Sequence, residues 1–356
     1  MRISLAMIVR DEELVLDRCL QSVTGIFDEI IIVDTGSHDR TKKIARKFTD
    51  KVYDFVWCDD FSKARNFAFS KATGDFIMWL DADDVITPEN AKRLKDLLNG
   101  KCDWDILYMK YDIWFDELGK PTFSYYRERI VRRGVNPVWV EPVHEVIIAT
   151  GRISYSDISV EHRKIKQNPG GRNLKIMERV LAGGGVLSPR LTYYYARELM
   201  WNNRTNEAIA TFEKFLVMPG AWSENKIGAS FDLANCYIKF NNSERALQIL
   251  INSFAFDRPR AEICCKIGEI FFTRRQYETA KYWYLVALKM KIPKNNFGFV
   301  QVDYYNFVPA MQLAVIYDKM GRHKTANKYN EIAGKYKPND PSYLYNKKYF
   351  SSYITI

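Results

Sequence analysis

Residues up to about 165 alternate short apolar runs with amphipathic segments of helical period. The apolar runs predict strands and the periodic segments predict helices. The predicted strands are Ile3–Val9, Glu29–Val33, Lys51–Trp57 and Phe76–Leu80, and the predicted helices are Glu12–Val23, Thr41–Phe48 and Ser62–Ala72. This alternating order favours an α/β fold with a mostly parallel sheet, whose ligands bind where the strands end.

From about residue 172 the strand patterns disappear, and apolar residues recur at helical spacing. Pairs of small residues lie twelve positions apart: Ala196 and Ala208, Ala234 and Ala246, Gly268 and Ala280, and Ala314 and Ala326. Small residues at this spacing let two antiparallel helices approach closely. The pattern resembles the tetratricopeptide repeat, and the competing interpretation is a plain helical bundle. We therefore predict two domains, residues 1–168 and 172–356.

Three carboxylates follow the fourth predicted strand within four residues, at Asp81, Asp83 and Asp84. Unpaired carboxylates at the end of a core strand repel one another, and a divalent cation removes that repulsion. Oxygen ligands suit Mg²⁺ or Mn²⁺, and such a cation can neutralise a diphosphate. The alternative is a solvated acidic turn before a helix with Thr87 as its N-cap and Pro88 in its first position.

Polar residues also follow the first three predicted strands. They are Arg10-Asp11-Glu12, Asp34-Thr35-Gly36-Ser37 and Asp59-Asp60. Because the ends of parallel strands meet at one edge of a sheet, we expect these residues to converge on one site. Gly36 permits a tight turn, and Asp34 or Ser37 can hydrogen-bond a base or ribose, although Asp-x-Gly-Ser is also common in ordinary turns.

A predicted helix places Arg65 in its first turns, with Asp60 or Ser62 as the N-cap. A helix N-terminus together with an arginine suits a phosphate group. The competing interpretation is a surface arginine paired with a neighbouring acid.

Two of the four histidines lie close together, at His144 and His162. Glu145 is a candidate general base that His144 could orient, although a lone His-Glu pair is more often structural. His162 ends a predicted strand, and beside two aspartates it could complete a metal site.

Composition narrows the class of protein. The net charge of +10 favours anionic partners, but the basic residues are scattered among acidic ones, which does not indicate nucleic-acid binding. No cysteine pair has CxxC spacing, which argues against a thiolate zinc site, and Cys264-Cys265 is expected to pack as small hydrophobes. Without a signal segment or an apolar run of membrane-spanning length, we expect a soluble, cytoplasmic protein.

Five segments, taken in order, resemble family 2 glycosyltransferases with the GT-A fold. They are Ile8-Val9-Arg10-Asp11-Glu12, 33–41 (Val-Asp-Thr-Gly-Ser-His-Asp-Arg-Thr), Asp60-Phe61-Ser62-Lys63-Ala64-Arg65-Asn66, Asp81-Ala82-Asp83-Asp84 and Val143-His144-Glu145. The subgroup with Phe-Ser-x-Ala-Arg-Asn, Val-His-Glu and C-terminal helical repeats is similar to bacterial enzymes that include the peptide S-glycosyltransferases of glycocin bacteriocins.

The resemblance implies a UDP-sugar donor, UDP-glucose or UDP-N-acetylglucosamine, bound with Mg²⁺ or Mn²⁺. Donor-binding candidates are Val9, Arg10, Asp11, Glu12, Asp34, Gly36, Ser37, Asp60, Arg65, Asp81, Ala82 and Asp83. Asp81 and Asp83 would hold the metal, with His162 as a further candidate ligand. Glu145 would be the catalytic base beside His144, and Asp84 is the second choice for that role.

The helical half is expected to select a polypeptide acceptor, because stacked helix pairs form a groove suited to a peptide. A cysteine thiol is one acceptor group that the resemblance suggests. A saccharide and a surface protein such as flagellin are the alternative acceptors, and a non-catalytic repeat scaffold is the alternative to an enzyme. The exposed end of a repeat array could also form a homodimer.

Overall fold

The structure, a computed structural model, describes residues 2–165, 170–292 and 298–354. The chain forms two compact units. The first comprises Met1–Trp114 and Ser124–Leu187, and the second comprises Phe115–Phe123 and Ser188–Ile356. The domain boundary predicted between 168 and 172 falls partly on residues 166–169, outside the described residues, and stays a prediction.

The first unit alternates strands and helices. Its strands are β1 (Ile3–Val9), β2 (Glu29–Asp34), β3 (Val52–Asp54), β4 (Phe76–Trp79), β5 (Asp84–Val85), β6 (Ile106–Phe115), β7 (Pro121–Arg132), β8 (Val138–Val140), β9 (Val146–Ile148) and β10 (Ile153–His162). Its helices are α1 (Leu16–Ser22), α2 (Thr41–Ala45), α3 (Phe61–Ser70), α4 (Pro88–Asn99) and α5 (Arg172–Ala182). Strand β6 ends, and strand β7 begins, in the segment Phe115–Phe123 that groups with the second unit.

The main sheet has the strand order β3-β2-β1-β4-β7-β6-β10-β5. Strand β1 pairs in parallel with both β2 and β4, so their carboxyl ends share one edge. Strand β4 pairs antiparallel with β7, and β10 pairs antiparallel with β5. The predicted α/β fold with a mostly parallel sheet at its N-terminal side is therefore confirmed.

Apolar cores cover both faces of this sheet because strand residues alternate between its faces. Leu5, Met7 and Met78 belong to one core, and Ala6 and Trp79 belong to the other. Strands buried on both faces read as continuous apolar runs, which is why β1 and β4 were visible in the sequence.

Several predicted elements are shorter than expected, and the helix predicted over Thr41–Phe48 ends at Ala45. The helix predicted from Glu12 begins only at Leu16, because the Glu12 amide donates to Thr41 Oγ1 and the Glu13 amide donates to Asp39 Oδ2, which holds this segment in a turn. The third strand was predicted to reach Trp57 but ends at Asp54. Thr87 caps α4 as predicted, since its hydroxyl accepts from the Asn90 amide.

Helix α5 belongs to the first compact unit, whereas the sequence pattern grouped it with the helical half. The physical reason is charge and ring contact: Arg179 pairs with Asp59, and the Arg172 guanidinium lies 4.8 Å from the Phe61 ring centre. The helix ends at Ala182, and Gly183 is its C-cap.

From Ser188 onward, the described part of the second unit is helical apart from one short strand. Its helices are α6 (Pro189–Trp201), α7 (Thr205–Leu216), α8 (Ser223–Lys239), α9 (Ser243–Asn252), α10 (Ala261–Thr273), α11 (Tyr277–Lys289), α12 (Phe307–Lys319), α13 (His323–Tyr336) and α14 (Pro341–Ile354). The strand is β11 (Val300–Gln301).

The small residues that were predicted to bring helices together lie in successive helix pairs. Ala196 and Ala208 are buried in α6 and α7, and the other three pairs fall in α8 and α9, α10 and α11, and α12 and α13. A Cβ atom added to Gly268 would lie 2.9 Å from the Tyr284 ring, so a larger side chain does not fit there. The predicted tetratricopeptide-like repeat architecture is therefore confirmed.

All six cysteines carry free thiols. Cys264 and Cys265 are buried, as predicted for small hydrophobes, and Cys58 is exposed. Among the described residues, no helix is long and apolar enough to cross a membrane.

Candidate functional site

The ends of β1 and β2 are tied together by side-chain to main-chain hydrogen bonds. The Asp11 amide donates to Ser37 Oγ at 2.9 Å, and the His38 amide donates to Asp11 Oδ1 at 2.7 Å. Arg10 is half-exposed and lies 3.9 Å from Asp11, while Val9 is buried at the end of its strand. The predicted convergence of these two strand ends is present.

Asp34 organises the turn that follows β2. Its Oδ1 accepts from the amides of Gly36 and Ser37 at 2.9 and 2.8 Å, and Gly36 has φ +105°, a conformation that favours glycine. Asp34 is buried, and its Oδ2 has no hydrogen-bond partner among the described residues. A buried carboxylate oxygen without a donor suits a ligand hydroxyl or imide, after local rearrangement opens access to it.

The acidic turn after β4 contains three carboxylates in three different environments. Asp84 is fully enclosed: its oxygens accept from Arg129 Nη1 at 3.0 Å, from the Asp81 amide at 3.0 Å and from the Tyr111 hydroxyl at 2.8 Å. An acceptor cannot reach this carboxylate, which argues against Asp84 as an alternative catalytic base. Ala82 is buried between Asp81 and Asp83 and offers only a small side chain.

Asp83 and His162 form the partly exposed side of this turn. His162 Nδ1 lies 3.3 Å from Asp83 Oδ1, and Asp83, Asp84 and His162 each offer a ligand atom within 4.8 Å of the others. Burial alone would lower the pKa of His162, but its hydrogen bonds to Asp83 and Asp84 raise the pKa to about 10. The structure thus groups two of the three predicted metal ligands and brings in Asp84 where Asp81 was expected.

Asp81 is instead bound to Arg65. Arg65 Nη2 donates to Asp81 Oδ1 at 2.7 Å, and Arg65 Nε donates to Glu145 Oε1 at 2.7 Å. Burial alone would raise the pKa of Asp81, but the charges of Arg65 and Arg129 lower it to about 2. One guanidinium therefore joins the predicted metal-binding turn to the predicted catalytic base, rather than standing open for a phosphate.

Arg65 is buried against two indole rings that also contact each other. Its Cζ lies 4.8 Å from the ring centres of Trp79 and Trp139. Arg127 and Arg129 also approach Trp79, at 4.8 and 3.9 Å. Cation–π attraction of this kind is strongest where the cation is removed from water, so Trp79 helps to hold three positive charges beside the acidic turn.

Arg127, Glu128 and Arg129 are site residues that the sequence reasoning missed. They are consecutive charged residues inside the long strand β7, and Arg129 and Glu128 are buried. A run of charges within a strand that also contains Ile130 and Val131 is the signal that could have revealed them, because charged residues are rarely buried unless they are paired. Arg127 Nη2 also donates to the Glu145 main-chain oxygen at 3.2 Å.

Glu145 and His144 lie in the connection between β8 and β9. The Glu145 side chain is 12% exposed and therefore mostly buried. His144 adopts a left-handed backbone conformation with φ 53°. The contact of the Glu145 carboxylate that the structure describes is with Arg65, and the orienting role predicted for His144 stays a prediction.

Asp60, and not Ser62, is the N-cap of α3. Its side chain accepts from the Lys63 amide at 3.1 Å and from the Ser62 hydroxyl at 2.7 Å. Glu12 lies across from α2, where its amide donates to Thr41 Oγ1 at 2.7 Å. These two candidate donor-binding residues have structural partners, and their contact with a donor stays a prediction.

Comparison with known proteins agrees with this architecture. Residues 4–122 match the model of the family described as Glycosyl transferase family 2. A TPR repeat-containing protein of Synechococcus elongatus is 49% identical over 98 residues, which are 28% of this chain and 24% of that protein. The SPbeta prophage-derived glycosyltransferase SunS of Bacillus subtilis is 36% identical over 94 residues, 26% of this chain and 22% of that protein.

Solved structures resemble parts of the chain at low overall similarity. One is a thermophilic TPR protein of Thermus thermophilus. The matched region is 52% of this chain and 92% of that protein, with a TM-score of 0.36 and 18% identity. Glucosyl-3-phosphoglycerate synthase from Mycobacterium tuberculosis, in complex with Mn²⁺, UDP-glucose and phosphoglyceric acid, covers 31% of this chain and 44% of its own, with a TM-score of 0.27 and 20% identity.

The chain carries a family 2 glycosyltransferase domain at its N-terminal side, followed by tetratricopeptide-like helical repeats. It spans about a quarter of the length of the curated relatives that it matches.

Proposed function

We propose that this protein is an inverting, metal-dependent glycosyltransferase that moves a hexose from a UDP-sugar to a polypeptide side chain. The family 2 match over residues 4–122 supports the reaction class. A cysteine thiol of a bacteriocin precursor is the acceptor suggested by the sequence resemblance. A saccharide and a surface protein such as flagellin are the alternative acceptors.

The observation that carries this proposal is the double contact of Arg65 with Asp81 and Glu145, at 2.7 Å each. A single displacement at a sugar carbon needs donor-binding charges and a base that face the same reacting centre. A shared guanidinium keeps the acidic turn and the Glu145 carboxylate at a fixed separation. In this proposal Glu145 takes the acceptor proton as the acceptor attacks the sugar and the bond to UDP breaks.

The residues of the acidic turn fit a divalent cation. Asp83 offers a carboxylate, and His162 offers an imidazole once a bound cation displaces the proton that Asp83 and Asp84 stabilise on it. This donor set suits Mn²⁺, and Mg²⁺ would rely more on the carboxylate. Asp84 is already saturated by Arg129, Tyr111 and the Asp81 amide, so it is a weaker ligand candidate. A bound cation would stabilise the negative charge that grows on the departing diphosphate.

Donor binding is assigned to the β1 and β2 ends. The unpartnered Oδ2 of Asp34 supports a contact with the nucleoside, and the exposed side of Arg10 supports a contact with an anionic group. Arg65 would act on the diphosphate through the acidic turn that it holds, because its guanidinium already has two carboxylate partners.

UDP release from UDP-glucose and UDP-N-acetylglucosamine, with Mn²⁺ or with excess EDTA, tests the proposal. We expect release that requires the metal and that Asp83→Ala abolishes. Full activity in excess EDTA would rule out metal dependence, and no release from either donor would overturn the transferase proposal for these donors. Co-expression with small peptides that contain cysteine, followed by mass spectrometry for a hexose adduct, then tests the acceptor class.

A further inference from the structure

The connection that carries Glu145 has a strained backbone. It joins β8 to β9, which pair antiparallel with Trp139 opposite Ile147. Glu141 has φ 77° and His144 has φ 53°, and residues other than glycine rarely adopt this left-handed conformation. Such a connection keeps its shape only where the surrounding structure holds it.

Asn66 of α3 holds one side of this hairpin. Its Nδ2 donates to the Trp139 main-chain oxygen at 2.8 Å, and the Trp139 amide donates to Asn66 Oδ1 at 2.9 Å. The side-chain amide therefore pairs with the strand as a neighbouring strand would. At the start of the same helix, the Phe61 amide donates to the Pro142 oxygen at 2.8 Å.

Trp139 is connected to Glu145 through Arg65, which contacts both residues. The Trp139 ring is buried, and it and Trp79 each lie 4.8 Å from the Arg65 guanidinium carbon. Arg65 in turn donates to Glu145 Oε1. Two adjacent residues of one helix, Arg65 and Asn66, thus hold the side chain of Glu145 and the strand that leads to it.

We propose that Asn66 is a positioning residue for the Glu145 carboxylate. Its side-chain amide is engaged by the Trp139 main chain, and it fixes the β8–β9 hairpin so that Glu145 stays at its place beside Arg65. This inference rests on the proposed transferase function. It assigns a separate role to a residue whose described hydrogen bonds are with the Trp139 main chain.

Asn66→Ala tests the role, with UDP-glucose and Mn²⁺ as the probe and water as the acceptor. We expect kcat for UDP release to fall about 10- to 100-fold, because small misplacement of a reacting group costs this much. The KM for UDP-glucose should stay within about twofold of the wild-type value, since the donor-binding strand ends are untouched. Hydrogen exchange of the Trp139 amide should become faster in the variant.

Ser70→Ala is the matched control, because Ser70 lies on the exposed end of the same helix and its hydroxyl donates only to the Phe67 oxygen among the contacts described. It should keep both kcat and the slow exchange of Trp139. Asn66→Asp, which retains the acceptor and places a carboxylate against the Trp139 oxygen, covers the case in which the alanine variant does not fold. It should also lose kcat while retaining KM.

The outcomes separate the two proposals. Wild-type protein that releases no UDP would overturn the transferase function and this inference with it. Active wild-type protein together with a folded Asn66 variant of unchanged kcat would overturn the positioning role alone. Loss of kcat with an equal rise in KM would also overturn it, since that pattern indicates general disruption of donor binding.

Discussion

The pKa values of buried carboxyl groups shift in opposite directions in the two units. In the first unit, burial would raise the pKa of Asp81, but Arg65 and Arg129 outweigh it and lower the pKa to about 2. In the second unit, burial raises the pKa of Glu262 to about 7, and the partners around it compensate only in part. Asp232, which faces Arg197 at 3.2 Å, likewise has a raised pKa because burial outweighs that charge.

The difference lies in how the cations are distributed. Arg65, Arg127 and Arg129 gather around one indole ring next to the acidic turn. Arg260, the cation closest in sequence to Glu262, is occupied by Glu224 and Asp257. Burial therefore does not identify a functional acid by itself. An acid that is buried and stays charged requires a built arrangement of cations, and here that arrangement coincides with the candidate site.

The largest effect is expected from removing the charge of the candidate base Glu145, which lies among the cations of the first unit. Glu145→Gln keeps the size of the side chain and loses the proton acceptor, so turnover should fall roughly 10²- to 10⁴-fold while UDP affinity survives. Steady-state kinetics together with calorimetry of UDP binding measure the two effects. Near-normal turnover at neutral pH would place the base elsewhere.

Breaking a buried ion pair in the first unit should cost stability. Asp84→Asn leaves the fully buried Arg129 without its carboxylate partner, and we expect a loss of about 3–5 kcal/mol in the free energy of unfolding. Asp83→Asn is the comparison variant, because Asp83 is partly exposed, and its loss of stability should be clearly smaller than that of Asp84→Asn. Urea unfolding of both variants gives the comparison, and equal losses would show that Asp84 is not the structural centre of the turn.

The second unit should respond to pH through Glu262. Its pKa is raised from 4.5 to about 7, so the folded state binds more protons than the unfolded state between these values, and stability falls as pH rises across this window. Glu262→Gln removes this dependence. The variant should be more stable than the wild type at pH 8, by up to about 3 kcal/mol, from 2.5 pH units at 1.36 kcal/mol each.

Thermal unfolding of the full chain at pH 5 and pH 8 measures this effect, and hydrogen exchange of α10 assigns it to the second unit. Glu269→Gln, on the same helix and half-exposed beside Lys266, is the control and should leave the pH dependence unchanged. A wild-type unfolding curve that is the same at both pH values would contradict the assignment.

The smallest expected effect is the loss of a helix cap, and it tests whether Asp60 only caps α3 or also binds the donor. Asp60→Ala and Asn242→Ala each remove a side chain that accepts from a helix amide, at the start of α3 and of α9, and each should cost about 1 kcal/mol. If Asp60 also contributes to donor binding, only its variant should weaken UDP affinity measured by calorimetry. Equal stability losses with unchanged UDP affinity would leave Asp60 as a cap alone.

Local signals in the sequence predicted the elements and the strand-end carboxylates. Strand β1 has the predicted bounds, and Thr87 caps α4 as expected, because each depends on residues close in sequence. The contacts of Arg65 could not be predicted in the same way. Glu145 lies eighty positions away, and its approach to Arg65 depends on how β8 and β9 dock against α3.

The same limit applies to Asp84. In the sequence, Asp84 cannot be distinguished from Asp81 and Asp83. It becomes an enclosed acid because Arg129 of β7 and Tyr111 of β6 hydrogen-bond to it in the folded protein. Residue type predicted that a charged site exists at this edge. Which of its carboxylates is enclosed, which binds Arg65 and which stays partly exposed depends on tertiary contacts.

The free thiols offer a practical route into these experiments. Cys58 is exposed and lies two residues before the cap of α3, whereas Cys102 is half-buried and the other four cysteines are buried. Burial raises the pKa of the Cys236 thiol to about 11 and that of Cys264 to about 12, which suppresses their reaction with thiol-directed reagents. A maleimide dye should therefore label Cys58 first, placing an optical reporter near the helix that carries Arg65 and Asn66 in the unmutated protein.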